Sequence, residues 1–176
     1  MDENWSADLK EARSLIRESL SEFTQEDHYD LSAPPKSKKF SISISHCSGL
    51  GGFTLVPLPQ SIGFDIEVAD RVKDAIATRI STPEEKAQAP SPALLWAAKE
   101  SAYKSLLGPN QPPHFTVVVT GGWLKLGQPL KLEKNLIDVW EFQAHLSQTD
   151  SIHGVGIAFR LEKYAFAFFY RTYLST

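Results

Sequence analysis

Two carboxylates near the middle of the chain are spaced so that they could bind a metal ion together. Asp65 and Glu67 alternate with apolar residues in a segment typical of a β-strand, residues 62–68, and side chains at i and i+2 of a strand point to the same face. At an effective dielectric of about 20, two charges roughly 5 Å apart repel by about 3 kcal/mol. A cation relieves this repulsion, and oxygen ligands favour Mg²⁺. Solvent on the outer face of an edge strand relieves it equally well, so both interpretations fit the spacing.

A second group of charged residues falls on a predicted helix over residues 92–107. Glu100 and Lys104 are four residues apart and share a face, and Lys99 lies one step around the helix. Pairs of this kind are common on helix surfaces, where each contributes about 0.3–0.5 kcal/mol. The apolar stripe predicted for this helix leaves the Glu100 side available for another role. We interpret Trp96 as a packing residue.

His46 follows a strictly alternating segment, residues 40–45, and precedes a glycine-rich turn. It has the same parity as Phe40 and Ile42, so the alternation directs it inward, where hydrogen-bonded histidines are common. The strand ends here, and the alternation therefore does not fix the direction of the side chain. His46 is either a buried structural residue or a polar group at the edge of a site.

A short basic run that includes Lys36 and Lys38 precedes the same strand. Such runs are usually solvated loop segments. They also bind phosphate groups when a site lies nearby, and the sequence does not distinguish these two roles.

The elements that must position these residues are helices in the first and middle parts of the chain and strands in the last. Residues 6–23 predict an amphipathic helix, and Thr82-Pro83 with the two acids after it predicts the capped start of a short helix. The apolar stripe of the first helix consists of Leu9, Ala12, Ile16, Leu20 and Phe23. Later strands are predicted at residues 115–120, 123–126, 137–145, 154–160 and 165–170. This order predicts an α+β fold, with an antiparallel sheet packed against helices.

Composition excludes several classes of protein and sets the expected organisation. The chain has 176 residues and a formal net charge of −3, which argues against a nonspecific nucleic-acid binder. One cysteine excludes an internal disulfide and a thiolate zinc cluster. The polar N-terminus and the absence of a long apolar run predict a soluble, cytoplasmic protein with no membrane partner. We expect a helical arm and loop over residues 1–38 and one compact unit over residues 39–176.

Three motifs occur in order along the chain: Ser45-His46, then a Gly-x-Asp-x-Glu segment at residues 63–67, then Trp-x-x-Lys-Glu-Ser-x-x-Lys at residues 96–104. This set resembles the 4′-phosphopantetheinyl transferase superfamily, of the holo-acyl-carrier-protein synthase kind. Residues 79–84 also look like the aromatic-Ser-x-x-Glu segment of that family. The resemblance covers about residues 39–107 in motif and extends to about residue 170 in strand pattern. It implies the transferase-like fold with a shortened N-terminal half.

The resemblance implies that the protein is a transferase that moves 4′-phosphopantetheine from coenzyme A to a serine of an apo acyl or peptidyl carrier protein, as in fatty acid biosynthesis. The other product would be adenosine 3′,5′-bisphosphate. Asp65, Glu67 and Glu100 would bind Mg²⁺, and Glu100 would also act as the base for the serine hydroxyl.

The resemblance also implies a set of cationic contacts to coenzyme A. Lys99 and Lys104 would face the pyrophosphate, and His46 would face the 3′-phosphate. The Lys-Pro and Arg elements that bind coenzyme A in long members of the family are not evident in this sequence. Lys36 and Lys38 are the candidates to replace them.

Two alternatives to an active transferase remain open at the level of sequence. A catalytically inactive relative would bind coenzyme A or a carrier protein without transfer, although the intact acids and Lys104 argue against it. A Mg²⁺-dependent phosphohydrolase would use similar groups. Because the N-terminal half is short, we also hypothesise that a second copy of the chain completes the site by self-association.

Overall fold

The computed structural model describes residues 3–28, 30–32, 34–106, 116–132, 134–147 and 154–171. The helices are α1 (Glu3–Thr24), α2 (Asp74–Ile80), α3 (Pro83–Gln88) and α4 (Pro92–Ser105), and a 3-10 turn spans Ala69–Arg71. The strands are β1 (Phe40–Cys47), β2 (Leu50–Pro57), β3 (Ser61–Val68), β4 (Val117–Lys125), β5 (Leu130–Leu132), β6 (Asn135–Ile137), β7 (Val139–Leu146), β8 (Gly154–Leu161) and β9 (Tyr164–Arg171).

The largest sheet has five antiparallel strands in the order β3-β9-β8-β7-β4. Helix α4 packs across one face of this sheet, against β3, β8 and β9. Strands β1 and β2 form a hairpin that packs beside β3, and β5 with β6 forms a second, short hairpin. An antiparallel sheet packed against helices confirms the predicted α+β fold.

Helix α4 approaches the sheet closely because small residues lie at the contact. Ala98, Ser101 and Ala102 are fully buried on the helix. Opposite them, a Cβ atom at Gly63 of β3 would lie only 1.7 Å from the carbonyl oxygen of Ser101. Only glycine is compatible with this separation, and the same contact brings the next residues of β3, including Asp65, beside α4.

Strand β1 buries the face opposite to the one expected from its apolar alternation. Ser43 and Ser45 are buried, whereas the apolar residues between them are only partly buried. The hydroxyl oxygens of Ser43 and Ser45 accept hydrogen bonds from the backbone N–H groups of Phe64 (2.9 Å) and Ile66 (3.1 Å). Strand β3 pairs with β9 along its other edge, so the serines satisfy edge donors of β3. The alternate face, with His46, therefore points away from β3.

Helix α1 packs on the β1–β2 hairpin through part of its predicted stripe. Ile16 and Leu20 are buried, and a Cβ atom at Gly51 would lie 2.5 Å from the terminal methyl group of Ile16. Phe23 was expected in the same stripe, but it is 66% exposed and only meets the edge of the Phe53 ring. The buried stripe is therefore shorter than predicted. The division into residues 1–38 and 39–176 stays a prediction.

Some elements differ from those predicted from sequence. Helix α2 and the β5–β6 hairpin were not predicted, because both are too short to show a periodic pattern. Two strands predicted at residues 115–120 and 123–126 form the single strand β4, whose pairing with β7 shifts register between Thr120 and Leu124. Gly122, at φ 65°, permits this irregularity. Among the described helices, none is both long and apolar enough to cross a membrane.

Candidate functional site

Asp65 is the most buried acid of the candidate site. It is only 3% exposed, on the face of β3 that packs against α4. Its Oδ1 accepts hydrogen bonds from the hydroxyl of Ser45 at 2.9 Å and from Nζ of Lys104 at 2.7 Å. Nζ of Lys104 also donates to the carbonyl oxygen of Phe64 at 3.1 Å. Asp65 therefore does not lie on a solvated outer face, which was the alternative interpretation of the sequence.

Glu67 is held by a residue that we had interpreted as packing alone. The indole Nε1 of Trp96 donates a hydrogen bond to Oε1 of Glu67 at 3.0 Å. The contact joins the first position of the α4 motif to the last position of the β3 motif. The role of Trp96 is thus to orient an acid as well as to pack. Sequence reasoning missed this because the spacing of residues within one element does not show a partner on another.

Three carboxylates form one electrostatic cluster. Burial raises the pKa of Asp65, and the charge of Glu100 acts in the same direction, against the opposing effects of Lys104 and Ser45. Burial also raises the pKa of Glu67 to about 7, with further increases from Asp65 and Glu100 that outweigh the hydrogen bond from Trp96 and the charge of Lys104. Burial and the neighbouring acidic charges thus disfavour the ionised forms of Asp65 and Glu67, even with Lys104 beside Asp65.

A cleft of about 360 Å³ lies next to this cluster, between α1, the following loop and β1. Its cationic and imidazole lining residues are Arg13, Arg17, His46 and Lys104. The guanidinium Nε of Arg13 donates to Nε2 of His46 at 3.0 Å, and burial lowers the pKa of His46, with smaller contributions from Arg13 and Lys104. Lys104 thus contacts the acidic cluster and also lines the cleft.

Arg13 and Arg17 line the cleft but were not singled out from the sequence, and the role predicted for Lys36 and Lys38, contact with coenzyme A, stays a prediction. Lys36 and Lys38 are exposed, and the described lining of the cleft does not include them. The signal that could have found the arginines is their spacing, because residues at i and i+4 share a helix face. They adjoin the buried stripe of α1, which places them over the hairpin rather than in solvent.

Comparison with known families gives a match that covers β3 and α4, the two elements that carry the acidic cluster. The model of the 4′-phosphopantetheinyl transferase superfamily matches residues 61–163, more than half of the chain. The chain belongs to the 4′-phosphopantetheinyl transferase superfamily. Membership supports a phosphopantetheine transferase kind of function. The match includes β3 and α4, whereas α1 and β1 precede it. No curated protein matches the chain significantly.

The acidic cluster of this superfamily member has the donor chemistry that Mg²⁺ prefers. Among the described residues, Asp65 Oδ2 is buried and has no hydrogen-bond partner, so one carboxylate oxygen is available to a cation. Glu67 and Glu100 supply further carboxylates that are coupled to it. In the described part of the chain, no three acidic, histidine or cysteine side chains are arranged around one point. The ammonium of Lys104 lies 2.7 Å from Oδ1 of Asp65, the other oxygen of this carboxylate.

Lys99 lies apart from the acidic cluster, contrary to the expectation that it faces a pyrophosphate. Its side chain is 1% exposed, and its Nζ lies 2.7 Å from Oε1 of Glu85. The same Oε1 accepts the N–H of Val119 at 2.8 Å, and Oε2 accepts the N–H of Thr82 in the capping box of α3. Burial lowers the pKa of Lys99, against the opposing effect of Glu85. Glu85 therefore does more than cap α3, and the pair joins α3, α4 and β4.

The raised pKa of Glu67 predicts a specific pH dependence of stability without metal. In the folded protein Glu67 keeps its proton up to a pH of about 7, whereas the ordinary value is 4.5. The folded state thus binds more protons in this window, and the free energy of unfolding falls as the pH rises from about 5 to about 8. After a discount for partial exposure, we expect Glu67 to account for about 1–2 kcal/mol of this fall. Urea denaturation in EDTA at pH 5 and pH 8 measures it.

Glu67→Gln should reduce the pH dependence of the free energy of unfolding, and the control Glu84→Gln, at an exposed position, should leave that dependence unchanged. Asp65 contributes in the same direction, so the free energy of unfolding of Glu67→Gln still falls with pH, but less steeply than that of the unsubstituted protein. Mg²⁺ should restore more stability to the unsubstituted protein at pH 8 than at pH 5, because the cation favours the ionised acids. If the free energy of unfolding falls equally steeply with pH in Glu67→Gln and in the unsubstituted chain, Glu67 is not a source of this pH dependence.

Proposed function

We propose that this protein transfers 4′-phosphopantetheine from coenzyme A to a serine of an apo acyl or peptidyl carrier protein in a Mg²⁺-dependent reaction. The observation that supports this most directly is the position of Lys104. It contacts Asp65 in the acidic cluster at 2.7 Å and also lines the basic cleft. One lysine thus adjoins both the groups suited to a metal-bound pyrophosphate and the groups suited to a nucleotide phosphate, in a member of a phosphopantetheine transferase superfamily.

The proposed chemical step is a displacement at phosphorus. The serine hydroxyl oxygen of the carrier protein forms a bond to the β-phosphorus of coenzyme A. The bond from that phosphorus to the bridging oxygen breaks, and the electron pair leaves with adenosine 3′,5′-bisphosphate. Glu100 accepts the hydroxyl proton, and Lys104 offsets negative charge on the phosphate oxygens. Such reactions depend mainly on positioning and on positive charge.

Asp65, Glu67 and Glu100 are the residues that would hold Mg²⁺. When bound, the ion would neutralise these acids and withdraw charge from the pyrophosphate oxygens. Trp96 orients Glu67 through its indole N–H, and Ser45 orients Asp65 through its hydroxyl. These contacts fix the acids on rigid elements, which limits the reorganisation needed during the reaction.

Acidic carrier proteins would be attracted by a local basic surface rather than by the net charge of the whole chain. Arg71, Lys73 and Arg79 are exposed along the turn and helix that follow β3. They lie on the segment immediately after the acidic strand, so a carrier bound there would be near the reacting groups. We propose these three residues as the docking surface.

Intact-protein mass spectrometry of apo carrier proteins tests the proposed function. Each carrier is incubated with the protein, coenzyme A and Mg²⁺, with and without EDTA. We expect a mass gain of one phosphopantetheine on at least one carrier, abolished by EDTA. Glu100→Gln should lose the gain, and the matched exposed variant Glu84→Gln should keep it.

The alternatives give different outcomes in the same assay. An inactive relative would bind coenzyme A in calorimetry but modify none of the carriers. A phosphohydrolase would release phosphate from simple esters without any carrier protein. Either result in place of the mass gain would exclude the proposed transfer.

A further inference from the structure

Helix α4 forms two ion pairs with carboxylates of other elements, and the two pairs differ in their access to solvent. In the pair of Lys99 with Glu85, the side chains are 1% and 4% exposed, and both carboxylate oxygens of Glu85 accept hydrogen bonds. In the pair of Lys104 with Asp65, the carboxylate is equally buried, at 4%, but the lysine side chain is 23% exposed. The first pair is therefore fixed inside the fold, whereas the lysine of the second pair has room to move.

The hydrogen bonds of Asp65 are divided unequally between its two oxygens. Oδ1 accepts one hydrogen bond from the hydroxyl of Ser45 at 2.9 Å and another from Nζ of Lys104 at 2.7 Å. Oδ2 is buried and has no hydrogen-bond partner among the described residues. A buried carboxylate oxygen without a partner is costly, and a ligand that reaches it removes that cost. A cation can therefore approach Oδ2 without displacing a hydrogen bond that the carboxylate already accepts.

A cation on Oδ2 would share one carboxylate with the ammonium of Lys104. Positive charges on the two oxygens of a single carboxylate repel each other, and this repulsion is screened less at a buried site than in water. The ammonium balances the charge of Asp65 while no cation is bound. The same ammonium must therefore oppose a divalent cation that binds there.

The ammonium of Lys104 also borders a second environment, in which it does not oppose a cation. Its Nζ donates to the carbonyl oxygen of Phe64 at 3.1 Å, and the side chain lines the cleft together with Arg13 and His46. A lysine has a flexible stem and three N–H donors, so its ammonium can turn from Asp65 towards the cleft while α4 stays in place. An anion in the cleft attracts the ammonium in that direction and thereby removes the charge that opposes the cation.

We propose that Lys104 is a resident counter-ion that weakens the binding of a divalent cation at Asp65, and that an anionic substrate in the cleft relieves this opposition by drawing the ammonium away. The proposal rests on the proposed function, since it takes the acidic cluster to be the metal site and coenzyme A to be the anion. It follows that Mg²⁺ and coenzyme A bind cooperatively, and each strengthens the binding of the other by the same factor.

Calorimetry with Mg²⁺ alone tests the opposition. Mg²⁺ is titrated into the full chain at pH 8 without coenzyme A. We expect Lys104→Met to bind Mg²⁺ about tenfold more tightly than the unsubstituted chain, because Asp65 loses its resident positive charge. Lys104→Arg keeps that charge and should bind Mg²⁺ no more tightly. Equal or weaker binding by Lys104→Met would overturn the proposal.

A surface lysine supplies the matched control for this titration. Lys86 forms a pair of similar length, 2.6 Å, with Asp74, and the two side chains are 33% and 69% exposed. Lys86→Met should therefore leave the affinity for Mg²⁺ unchanged. An equal gain in Lys86→Met and Lys104→Met would assign the effect to net charge and overturn the role of Lys104.

Thermal unfolding gives a second readout that does not depend on catalysis. In EDTA, Lys104→Met should have a lower Tm than the unsubstituted protein, because the acids lose their counter-charge. Mg²⁺ should then raise the Tm of Lys104→Met by more than it raises that of the unsubstituted protein. Lys104→Gln, which removes the charge but keeps a polar side chain, should behave like Lys104→Met. A smaller or equal rise in both variants would contradict the counter-ion role.

The cooperativity is measured by repeating the Mg²⁺ titration with saturating coenzyme A. In the unsubstituted chain, coenzyme A should tighten Mg²⁺ binding by about tenfold or more, which lies within the usual range for coupled sites. The factor should fall several-fold in Lys104→Met, which has no ammonium to draw away. An unchanged factor would show that the ammonium does not move and would overturn the coupling.

The proposal and the proposed function can fail separately. If carriers are modified in a reaction that EDTA abolishes, but Lys104→Met binds Mg²⁺ like the unsubstituted chain, this inference fails and the proposed function stands. If Lys104→Met binds Mg²⁺ more tightly but no carrier is modified, the proposed function fails and the counter-ion role of Lys104 stands.

Discussion

Asp65→Asn should reduce phosphopantetheine transfer by on the order of a thousandfold while the protein remains folded. The substitution keeps the size of the side chain and one acceptor oxygen but removes the charge from the most buried acid of the cluster. A metal ion contributes several kcal/mol of charge stabilisation in the transition state, and each 1.4 kcal/mol changes the rate about tenfold. Transfer to an apo carrier protein, followed by mass spectrometry at saturating coenzyme A, measures the effect.

Stability separates this loss of activity from unfolding. Burial raises the pKa of Asp65, which means that the folded protein disfavours its ionised form. The neutral amide introduced by Asp65→Asn escapes that penalty, and Lys104, whose side chain is 23% exposed, can turn its ammonium to solvent. We therefore expect the free energy of unfolding to change by no more than about 1 kcal/mol. Mg²⁺ should raise the Tm of the unsubstituted protein and leave that of Asp65→Asn unchanged.

The matched control is Asp70→Asn, an exposed acid only five positions along the chain. Asp70 forms a 3.5 Å contact with Arg160, and both side chains are exposed, so its loss should alter neither transfer nor stability measurably. Full activity in Asp65→Asn would rule out the assigned metal ligand. Equal losses in the two variants would assign the effect to surface charge rather than to the site.

Lys99→Met should destabilise the protein by about 3–5 kcal/mol, which is the cost of leaving one partner of a buried ion pair uncompensated. The side chains of Lys99 and Glu85 are 1% and 4% exposed, and their charged atoms lie 2.7 Å apart. Without Lys99, the carboxylate keeps the N–H groups of Thr82 and Val119 but loses its counter-charge. Chemical denaturation at constant pH measures the change.

A second substitution at Glu85 and a control pair at the surface test whether the loss of stability comes from an uncompensated buried charge. Glu85→Gln introduced into Lys99→Met should recover part of the lost stability, because it removes the uncompensated buried charge, although the single carbonyl oxygen of Gln accepts only one of the N–H groups of Val119 and Thr82. Lys86→Met removes a pair with Asp74 of similar length, 2.6 Å, but at the surface, and should cost at most about 1 kcal/mol. The expectation from the family resemblance was different: if Lys99 faces the pyrophosphate, Lys99→Met weakens coenzyme A binding and leaves stability intact.

The sequence by itself determined the motifs of the acidic site and the elements that carry them. Strict alternation over residues 62–68 placed Asp65 and Glu67 on one face of a strand, and helical spacing placed Glu100 and Lys104 on one face of α4. These are local properties, because the period of a strand or a helix follows from backbone geometry. The class of fold followed in the same way from the order of the elements.

Tertiary structure decided which partners these residues have. Alternation in β1 predicted a buried apolar face, but Ser43 and Ser45 are buried instead, since the edge of β3 needs acceptors for its backbone N–H groups. Neighbouring positions on α4 likewise have unrelated roles: Lys99 pairs with Glu85, while Glu100 acts on the acids of β3. Adjacent residues on a helix point about 100° apart, so each meets a different element, and the identity of that element is set only by the packing.

The basic cleft shows most clearly what only the tertiary structure could supply. Arg13 and Arg17 belong to a helix predicted as an N-terminal arm, and they line one cleft with His46, which lies about thirty residues further along the chain and accepts a hydrogen bond from Arg13. The spacing of the arginines shows that they share a face of α1, but it does not show that His46 lies beside that face, because this depends on how the helix crosses the hairpin. Local periodicity is encoded residue by residue, whereas a site assembled from separate elements forms only when the buried surfaces of those elements fit together.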